Sequence, residues 1–206
     1  MKTIKAVIFD FGGVLSEEGF RNGLKAIGTK HGINPDGLFA TAEELIYKTG
    51  YITAECDEPS FWNALREKTG INENDNELRE EILIRFSIRP QMIQYVKKLK
   101  SYGLITAILS DQTNWLDEID SREHFFRYFD YVYNSFHLKK SKKDPSIFRD
   151  VCEAIGFEPG EVLFVDDNIE NIKRASQEGL RAIHFKNMNS FKKEIGKLTI
   201  WQCTKN

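Results

Sequence analysis

Short apolar runs that end in polar residues recur along the chain and predict the strands of a buried sheet. In the first run, residues 6–9 are apolar and partly β-branched, and Asp10 follows them directly. Continuous runs of this kind are typical of parallel strands that are covered on both faces. Four later runs have the same form and predict four further strands: residues 104–109, 131–133, 162–165 and 181–185.

Apolar residues at helical spacing lie between these runs. Three helices are predicted from the spacing, and each ends at a glycine: Gly103, Gly156 or Gly179. Pro90 lies near the start of the first of them, where proline is well tolerated. Strands that alternate with helices of this length are typical of an α/β fold, here a doubly wound parallel, Rossmann-like sheet.

Residues 17–88 differ from the rest of the chain because they show helical periodicity and no convincing strand. They are predicted to form an all-helical insertion between the first strand and the rest of the sheet. The chain would then consist of a Rossmann-like core, residues 1–16 and 89–206, and a helical insertion, residues 17–88. Gly19 and the pair at residues 89–90 are candidate hinges at the two junctions.

Polar residues with complementary chemistry follow the predicted strands. A buried carboxylate such as that of Asp10 is costly without a partner, and open α/β sheets bind ligands at the carboxyl ends of their strands. Two carboxylates from different strands can hold Mg²⁺, a hydroxyl and an ammonium can hold phosphate oxygens, and a carboxylate beside the metal can attack phosphorus. The later strand ends offer these groups: Ser110, the lysines around residue 142, Asp166 and Asp167.

Each of these residues also has a purely structural interpretation. Asp10 and Ser110 could cap the turns or helices that follow them, and the paired acids could stabilise a helix N-terminus. Asn171, one helical turn beyond the second acid, could orient metal-bound water or serve as a cap. The lysines at 139, 140, 142 and 143 could form a solvated loop, and we favour only Lys142 as a site residue. Four aromatic residues are expected in the core rather than beside a substrate: Phe20, Tyr47, Trp62 and Phe136.

Composition and charge exclude several classes of partner. Hydrophobic residues make up 41% of the chain and charged residues 29%, and the net charge of −2 gives no basic field to attract nucleic acid or an anionic membrane. Cys56, Cys152 and Cys203 form no CxxC pair, which argues against a disulfide framework or a zinc site. Because no signal peptide and no apolar stretch of about 18 residues is found, a cytoplasmic location is expected.

Four segments, taken in order, resemble the motifs of the haloacid dehalogenase-like (HAD) hydrolase superfamily, most closely its small sugar-phosphate phosphatase-like branch. The resemblance covers essentially the whole chain, and the helical insertion corresponds to the cap that this superfamily places after the first motif. The four segments are residues 8–15 (IFDFGGVL), residues 109–111 (LSD), Lys142 within residues 139–148 (KKSKKDPSIF), and residues 165–171 (VDDNIEN).

The resemblance implies a nucleophile and a metal site. Asp10 would accept the phosphoryl group and would bind Mg²⁺ through one of its oxygens. The backbone carbonyl of Gly12 and the carboxylate of Asp167 would be further ligands. Asp166 would be the acidic neighbour of Asp167 and would complete the metal site from the side away from the substrate.

The resemblance also implies how substrate is bound. Ser110 and Asp111 would contact the substrate, and Lys142 would pair with both the phosphate and the nucleophile. The expected function is Mg²⁺-dependent hydrolysis of a small phosphorylated metabolite, such as a sugar phosphate, through a phosphoaspartate. The expected partners include no nucleic acid and no membrane, and the expected form is a monomer or a homodimer.

The sequence departs from most phosphatases of this superfamily at two places. Gly12 stands where they carry a second aspartate as general acid and base, a group that contributes typically about 10²- to 10⁴-fold in rate. Three interpretations stay open: a substrate whose leaving group needs little protonation, proton transfer by water or by a residue of the helical insertion, or loss of efficient catalysis. Lys139 and Lys143 also replace a glycine and a proline that are usual in the third motif.

Two other functions stay open as alternatives. In a 2-haloacid dehalogenase Asp10 would attack carbon without a metal, and the paired acids at residues 166–167 would then repel the anionic substrate. A non-catalytic binding module of the same fold would account for Gly12, but the motif residues Asp10, Lys142 and Asp167 would then be retained without a catalytic role.

Overall fold

Five parallel strands form one sheet within residues 3–198, the part of the chain that the computed structural model describes. The strands are β1 Ala6–Phe9, β2 Ile105–Ser110, β3 Tyr131–Asn134, β4 Val162–Asp166 and β5 Arg181–His184. Their order in the sheet is β3-β2-β1-β4-β5. The chain therefore winds outward from the centre to one edge, returns, and winds outward to the other, which confirms the predicted doubly wound α/β fold.

The central strand β1 is apolar at every position because it has neighbours on all sides. It pairs with β2 along one edge and with β4 along the other. Val7 and Phe9 belong to the core on one face of the sheet, whereas Ala6 and Ile8 belong to the core on the opposite face. A strand covered in this way cannot show the alternation of a half-exposed strand, which explains the continuous apolar run in the sequence.

Residues 17–87, all of them described, contain helices and no strand. Side chains at the starts of three of the helices accept hydrogen bonds from backbone amides and so cap them: Asn34, Asp57 and Asn74. The four α-helices of this helical insertion are α1 Gly19–Lys30, α2 Pro35–Lys48, α3 Glu58–Thr69 and α4 Asp75–Leu83.

The chain leaves the sheet and returns to it at neighbouring points. Ser16 and Ile88 form an isolated antiparallel bridge there. The guanidinium of Arg89 binds both carboxylate oxygens of Glu17, at 3.0 and 3.1 Å, and also contacts the Gly13 carbonyl. The two connections between the helical insertion and the sheet are therefore tied to each other.

Six more α-helices lie in the described part of the chain, and three of them match the helices predicted from apolar spacing. The predicted helix or loose terminus after about residue 190 corresponds to the last of them, while Cys203 lies outside the described residues. The sequence pattern did not predict the helix between β2 and β3, whose inner side is formed by Trp115, Leu116 and Ile119. The six are α5 Pro90–Ser101, α6 Trp115–Glu123, α7 Ser135–Leu138, α8 Ser146–Ile155, α9 Ile169–Gln177 and α10 Met188–Ile195.

An aromatic cluster joins the helical insertion to the sheet. The indole rings of Trp62 in α3 and Trp115 in α6 stack with centroids 5.7 Å apart. The carboxylate of Glu58 accepts a hydrogen bond from each indole nitrogen, at 2.8 and 3.2 Å. The prediction that Trp62 lies in the core is confirmed, since no part of it is exposed. Among residues 3–198, no helix has both the length and the apolar character needed to cross a bilayer.

Candidate active site

The sheet register brings the ends of three strands together. Phe9, the last residue of β1, is level with Ile108 of β2 and Val165 of β4. The residue after each of these lies at the carboxyl edge of the sheet, and the amide of Asp10 donates a hydrogen bond to the Val165 carbonyl at 2.8 Å. Asp10 therefore lies between the end of β2 and Asp166.

One carboxylate oxygen of Asp10 is held firmly by the protein. Oδ1 accepts a hydrogen bond from the backbone amide of Phe11 at 2.7 Å and forms a salt bridge with Nζ of Lys142 at 2.9 Å. Burial raises the pKa of the Asp10 carboxyl well above its usual range, an effect that the lysine opposes and the neighbouring acids reinforce. No hydrogen bond from another described residue reaches Oδ2, so this oxygen is free to react or to bind a cation.

Lys142 is the lysine of the third motif that enters the site. Its side chain is almost completely buried, and its Nζ lies 2.9 Å from Asp10 and 2.8 Å from Asp166. Burial lowers the pKa of this amine, but the carboxylates around it raise the pKa more, so the net shift is upward and the amine stays charged. The other lysines of the loop lie elsewhere: Lys140 pairs with Asp150 on the surface, and Lys143 lies over an aromatic ring at the edge of the cleft.

Asp166 positions the lysine rather than facing open space. Its Oδ1 accepts the backbone amide of Asn168 at 2.7 Å. Its Oδ2 accepts both Nζ of Lys142 and the side-chain amide of Asn171, at 2.8 and 3.1 Å. Asn171 is not the cap of α9, because Asn168 is; since Asn171 lines the same cleft, its contact with metal-bound water stays a prediction. Both oxygens of this fully buried carboxylate are satisfied by protein donors.

Asp167 faces the cleft, and no salt bridge to another described residue includes it. Burial raises its pKa, and the adjacent carboxylate of Asp166 raises it further. The backbone here is closely packed: Gly13 has φ of 74°, and a Cβ on it would lie 2.1 Å from Asp167 Oδ2. Only glycine fits at this position. His184 in β5 donates to the backbone carbonyl of Asp167 at 2.9 Å and holds the loop from the other side.

The three acids form a group that suits a divalent cation. Ligand oxygens of Asp10, Asp166 and Asp167 all lie within 4.8 Å of one another. Carboxylate oxygens are the ligands that Mg²⁺ prefers, and a cation among them would relieve the mutual repulsion that raises the pKa of Asp10 and of Asp167. Gly12, the predicted backbone ligand, lines the same cleft. The donor set therefore fits the predicted metal.

Ser110 and Asp111 both line the cleft but differ in their surroundings. Ser110 is nearly buried, and its hydroxyl makes no hydrogen bond to another described residue. The carboxylate of Asp111 accepts the backbone amide of Lys142 at 2.8 Å on one oxygen and the hydroxyl of Tyr47 at 3.0 Å on the other. A substrate-binding role for Ser110 stays a prediction that the geometry favours. The same role for Asp111 also stays a prediction, but its two bonds do not favour it.

The cleft above these residues has a volume of about 730 Å³ and is shared between the sheet and the helical insertion. Phe20 and Tyr47 pack against the core as expected, but they also line the cleft, which was not expected. They share this wall with residues that the motifs could not indicate, since no motif extends into the insertion. These further residues are Glu18, Arg21, Phe39, Glu43, Glu44 and Ile46.

Glu18 reaches the sheet side of the cleft from the start of α1. A Cβ added to Gly12 would lie 2.7 Å from Oε1 of Glu18. Burial raises the pKa of Glu18 to about 7, with a further contribution from the nearby charge of Asp167. The sequence analysis did not identify this residue. The signal that could have found it is the absence of an acid at Gly12, followed six residues later by an acid at the start of a helix.

Relatives of this chain include several kinds of hydrolase. A model described as haloacid dehalogenase-like hydrolase matches residues 4–179. Bifunctional epoxide hydrolase 2 of Rattus norvegicus is 29% identical over 131 residues, which cover 60% of this chain and only 23% of that protein. Enolase-phosphatase E1 of Persephonella marina is 24% identical, and the match covers 87% of each chain. The relatives also include an (S)-2-haloacid dehalogenase of Burkholderia cepacia.

Solved structures share the whole fold. A HAD family enzyme from Bacteroides thetaiotaomicron superposes with a TM-score of 0.76 at 22% identity, covering 94% of this chain and 99% of that one. The same enzyme in complex with magnesium and inorganic phosphate has a TM-score of 0.68 at 23% identity and covers 89% and 94%. At these identities the likeness shows the fold alone. Together with the family model that matches residues 4–179, it shows that the chain belongs to the haloacid dehalogenase-like hydrolase family.

Proposed function

We propose that the protein is a Mg²⁺-dependent phosphatase that hydrolyses a small phosphomonoester through a phosphoaspartate on Asp10. The observation that carries the proposal is the position of Lys142, buried between Asp10 and Asp166 with Asp167 beside them. An amine and several acids gathered at the carboxyl ends of parallel strands match the needs of phosphoryl transfer. A dianionic phosphoryl group requires positive charge, and its attack requires a held carboxylate.

The side chains of the site have different tasks in this reaction. The bonds from Phe11 and Lys142 fix Oδ1 of Asp10, and this leaves Oδ2 to attack phosphorus. The amine of Lys142 neutralises phosphate oxygens, and the unpaired hydroxyl of Ser110 donates to them. Asp166 keeps the amine in place, since one of its oxygens accepts a hydrogen bond from Lys142 and the other accepts one from the backbone amide of Asn168. Water then attacks the phosphoaspartate, releases phosphate and restores the nucleophile.

Asp10, Asp167 and the carbonyl of Gly12 would hold Mg²⁺, with Asp166 behind them. When bound, the ion would supply positive charge to the phosphoryl oxygens and keep the attacking carboxylate close to phosphorus. Support for this choice of metal comes from the donor set and from a solved enzyme of the same fold, which was obtained in complex with magnesium and inorganic phosphate.

The substrate we propose is a small phosphorylated metabolite. A cleft of about 730 Å³ falls within the range of about 300–1,000 Å³ that is common for small-molecule sites. The phosphate end would lie at the strand ends, while α1 and α2 would contact the rest of the molecule. Selectivity among phosphate esters would therefore depend on residues of the helical insertion such as Phe20, Arg21 and Tyr47.

The experiment measures phosphate release from a panel of phosphorylated metabolites and from p-nitrophenyl phosphate, with Mg²⁺ and with chelator. Wild type should release phosphate only with the metal, and Asp10→Asn should release none. Asp36→Asn is a matched control, because Asp36 is an exposed acid of α2 that pairs with Lys25 away from the cleft.

Three other results would contradict the proposal. Equal rates for wild type and Asp10→Asn would show that the measured activity does not come from this site. Absence of release from the entire panel would favour a binding module. Metal-independent release of halide from a 2-chloroacid would indicate a dehalogenase instead.

A further inference from the structure

The carboxylate of Glu18 fills the space that an acid at position 12 would need. A Cβ added to Gly12 would have Glu18 Oε1 as its nearest neighbour, at 2.7 Å, with Glu18 Cδ at 3.7 Å. Gly12 does not have a positive φ, so its backbone does not require glycine. A side chain at position 12 would have to displace the carboxylate of Glu18.

Packing beside Glu18 places the start of α1 next to the first motif. Glu18 is the residue immediately before α1, and the next residue, Gly19, lies so close to Phe86 that a Cβ there would fall 2.4 Å from the ring. Phe86 in turn stacks on Phe11 of the first motif, with ring centroids 5.5 Å apart. The start of α1 is thus pressed against the loop that follows the nucleophile, and the Glu18 side chain enters the cleft there.

Glu18 makes no direct polar contact with its side chain in the described part of the chain, and only the more distant charges of Arg21 and Lys142 favour its ionised form. No salt bridge or side-chain hydrogen bond to another residue within the described range involves its carboxylate, although Glu17 beside it pairs with Arg89. It lines the same cleft as Asp10, Ser110 and Lys142. A largely buried acid without a partner lowers stability, and such groups are concentrated at sites of function.

We propose that Glu18 is the general acid and base of the reaction, in place of the aspartate that Gly12 lacks. This inference rests on the proposed phosphatase function. In the first step Oδ2 of Asp10 forms a bond to phosphorus, the bond between phosphorus and the ester oxygen breaks, and that oxygen takes the proton of the Glu18 carboxyl. In the second step Glu18 takes a proton from water, the water oxygen bonds to phosphorus, and the bond to Asp10 breaks.

The leaving group of the substrate tests this role. An alkoxide leaving group needs a proton, whereas p-nitrophenolate leaves readily without one. We expect Glu18→Gln to lower kcat/KM for an alkyl phosphate about 100-fold and for p-nitrophenyl phosphate by less than about 5-fold. Glu17→Gln is the matched control, since Glu17 is exposed and turned toward Arg89, and both substrates should keep their kcat/KM.

Moving the acid provides a second test. The double variant Gly12→Asp, Glu18→Ala places a carboxyl in the same space, but attached at position 12 instead of position 18. The remaining close neighbour of a Cβ at position 12 would be Phe86 Cε1 at 3.9 Å, which is ordinary contact. We expect this variant to recover most of the alkyl phosphate activity that Glu18→Ala alone loses.

The outcomes separate the two proposals. If wild type hydrolyses neither ester with Mg²⁺, the phosphatase proposal fails and this inference fails with it. If wild type hydrolyses both and Glu18→Gln lowers both equally, or neither, only the inference fails. Calorimetric titration with Mg²⁺ tests whether Glu18 is instead a metal ligand. A lower Mg²⁺ affinity in Glu18→Gln, together with equal losses of kcat/KM for both esters, would overturn the acid–base assignment.

Discussion

The hydroxyl of Tyr47 in α2 donates a hydrogen bond to Oδ2 of Asp111, 3.0 Å away, across the boundary between the helical insertion and the sheet. Oδ1 of the same carboxylate accepts the backbone amide of Lys142 at 2.8 Å. One buried acid thus connects the insertion with the loop that carries the proposed phosphate-binding amine. The position of α2 and the position of the Lys142 loop therefore depend on the same carboxylate.

Tyr47→Phe should weaken substrate binding more than it slows the reaction. The substitution keeps the ring that lies against Lys143 and removes only the hydroxyl. A lost hydrogen bond to a carboxylate corresponds to about 1.5–3 kcal/mol, so we expect KM to rise about 10-fold with kcat changed less than about 3-fold. Tyr102→Phe, at an exposed tyrosine after α5, is the control. Unchanged kinetics in Tyr47→Phe would show that the bond does not support the substrate-binding shape of the cleft.

Lys142→Met should abolish phosphate release and also destabilise the fold. Removing the amine leaves Asp10 and Asp166 buried without their shared cation, a change that typically costs about 3–5 kcal/mol. Urea unfolding at pH 7 measures this loss. Lys140→Met, at a surface lysine paired with Asp150, should change the free energy of unfolding by less than about 1 kcal/mol. Equal effects of the two substitutions would contradict the central place of Lys142.

Mg²⁺ should stabilise the protein by an amount that depends on Asp167. Without a cation the neighbouring carboxylates repel one another, and at a concentration 100 times its Kd the ion would add about 2.7 kcal/mol to the free energy of unfolding. Thermal unfolding with and without the metal checks this. Asp167→Asn should lose most of the increase in Tm, while Asp36→Asn should keep it. A metal effect of the same size in all three proteins would mean that the ion binds elsewhere.

Glu18→Gln should be more stable than wild type at pH 8 and equally stable at pH 4, in the presence of chelator. Burial raises the pKa of Glu18 from 4.5 to about 7. This carboxyl is harder to ionise in the folded state than in the unfolded state. The free energy of unfolding of wild type is therefore at its full value below pH 4.5 and falls as the pH rises through 7. Glutamine does not ionise, so the free energy of unfolding of Glu18→Gln should exceed that of wild type by about 1–3 kcal/mol at pH 8.

Glu17→Gln should show the opposite trend, which makes it a sensitive control. The Arg89 guanidinium lowers the pKa of Glu17, so its contribution to stability is present at neutral pH and lost as the pH falls. Urea unfolding between pH 4 and pH 8 follows both variants. A Glu18→Gln difference that does not change with pH would show that its carboxyl is not perturbed.

The fold could be predicted from the sequence because its signals are local. The run before Asp10 is apolar at every position, and only a strand covered on both faces needs that pattern. The helix α6 escaped prediction because just three of its residues are buried, so its apolar side is short. Trp115 stacks on Trp62, far away in the sequence, and no local pattern reveals such a partner.

The candidate site could be predicted only as far as the motifs extend. Strand ends indicated Asp10, Ser110, Asp166 and Asp167, since the register of a parallel sheet brings such ends together. The loop around Lys142 contains four lysines, and the sequence alone could not exclude the other three by geometry. Glu18 belongs to the helical insertion, and its place beside Gly12 depends on how the start of α1 packs against Phe86.

Because the indoles of Trp62 and Trp115 stack, tryptophan fluorescence can report a change in the distance between the helical insertion and the core. One ring belongs to α3 and the other to α6, and Glu58 holds both nitrogens. Any ligand that changes the spacing across this junction would alter the emission of the pair without an added label. Trp201→Phe would leave these two rings as the whole signal, because the chain has three tryptophans.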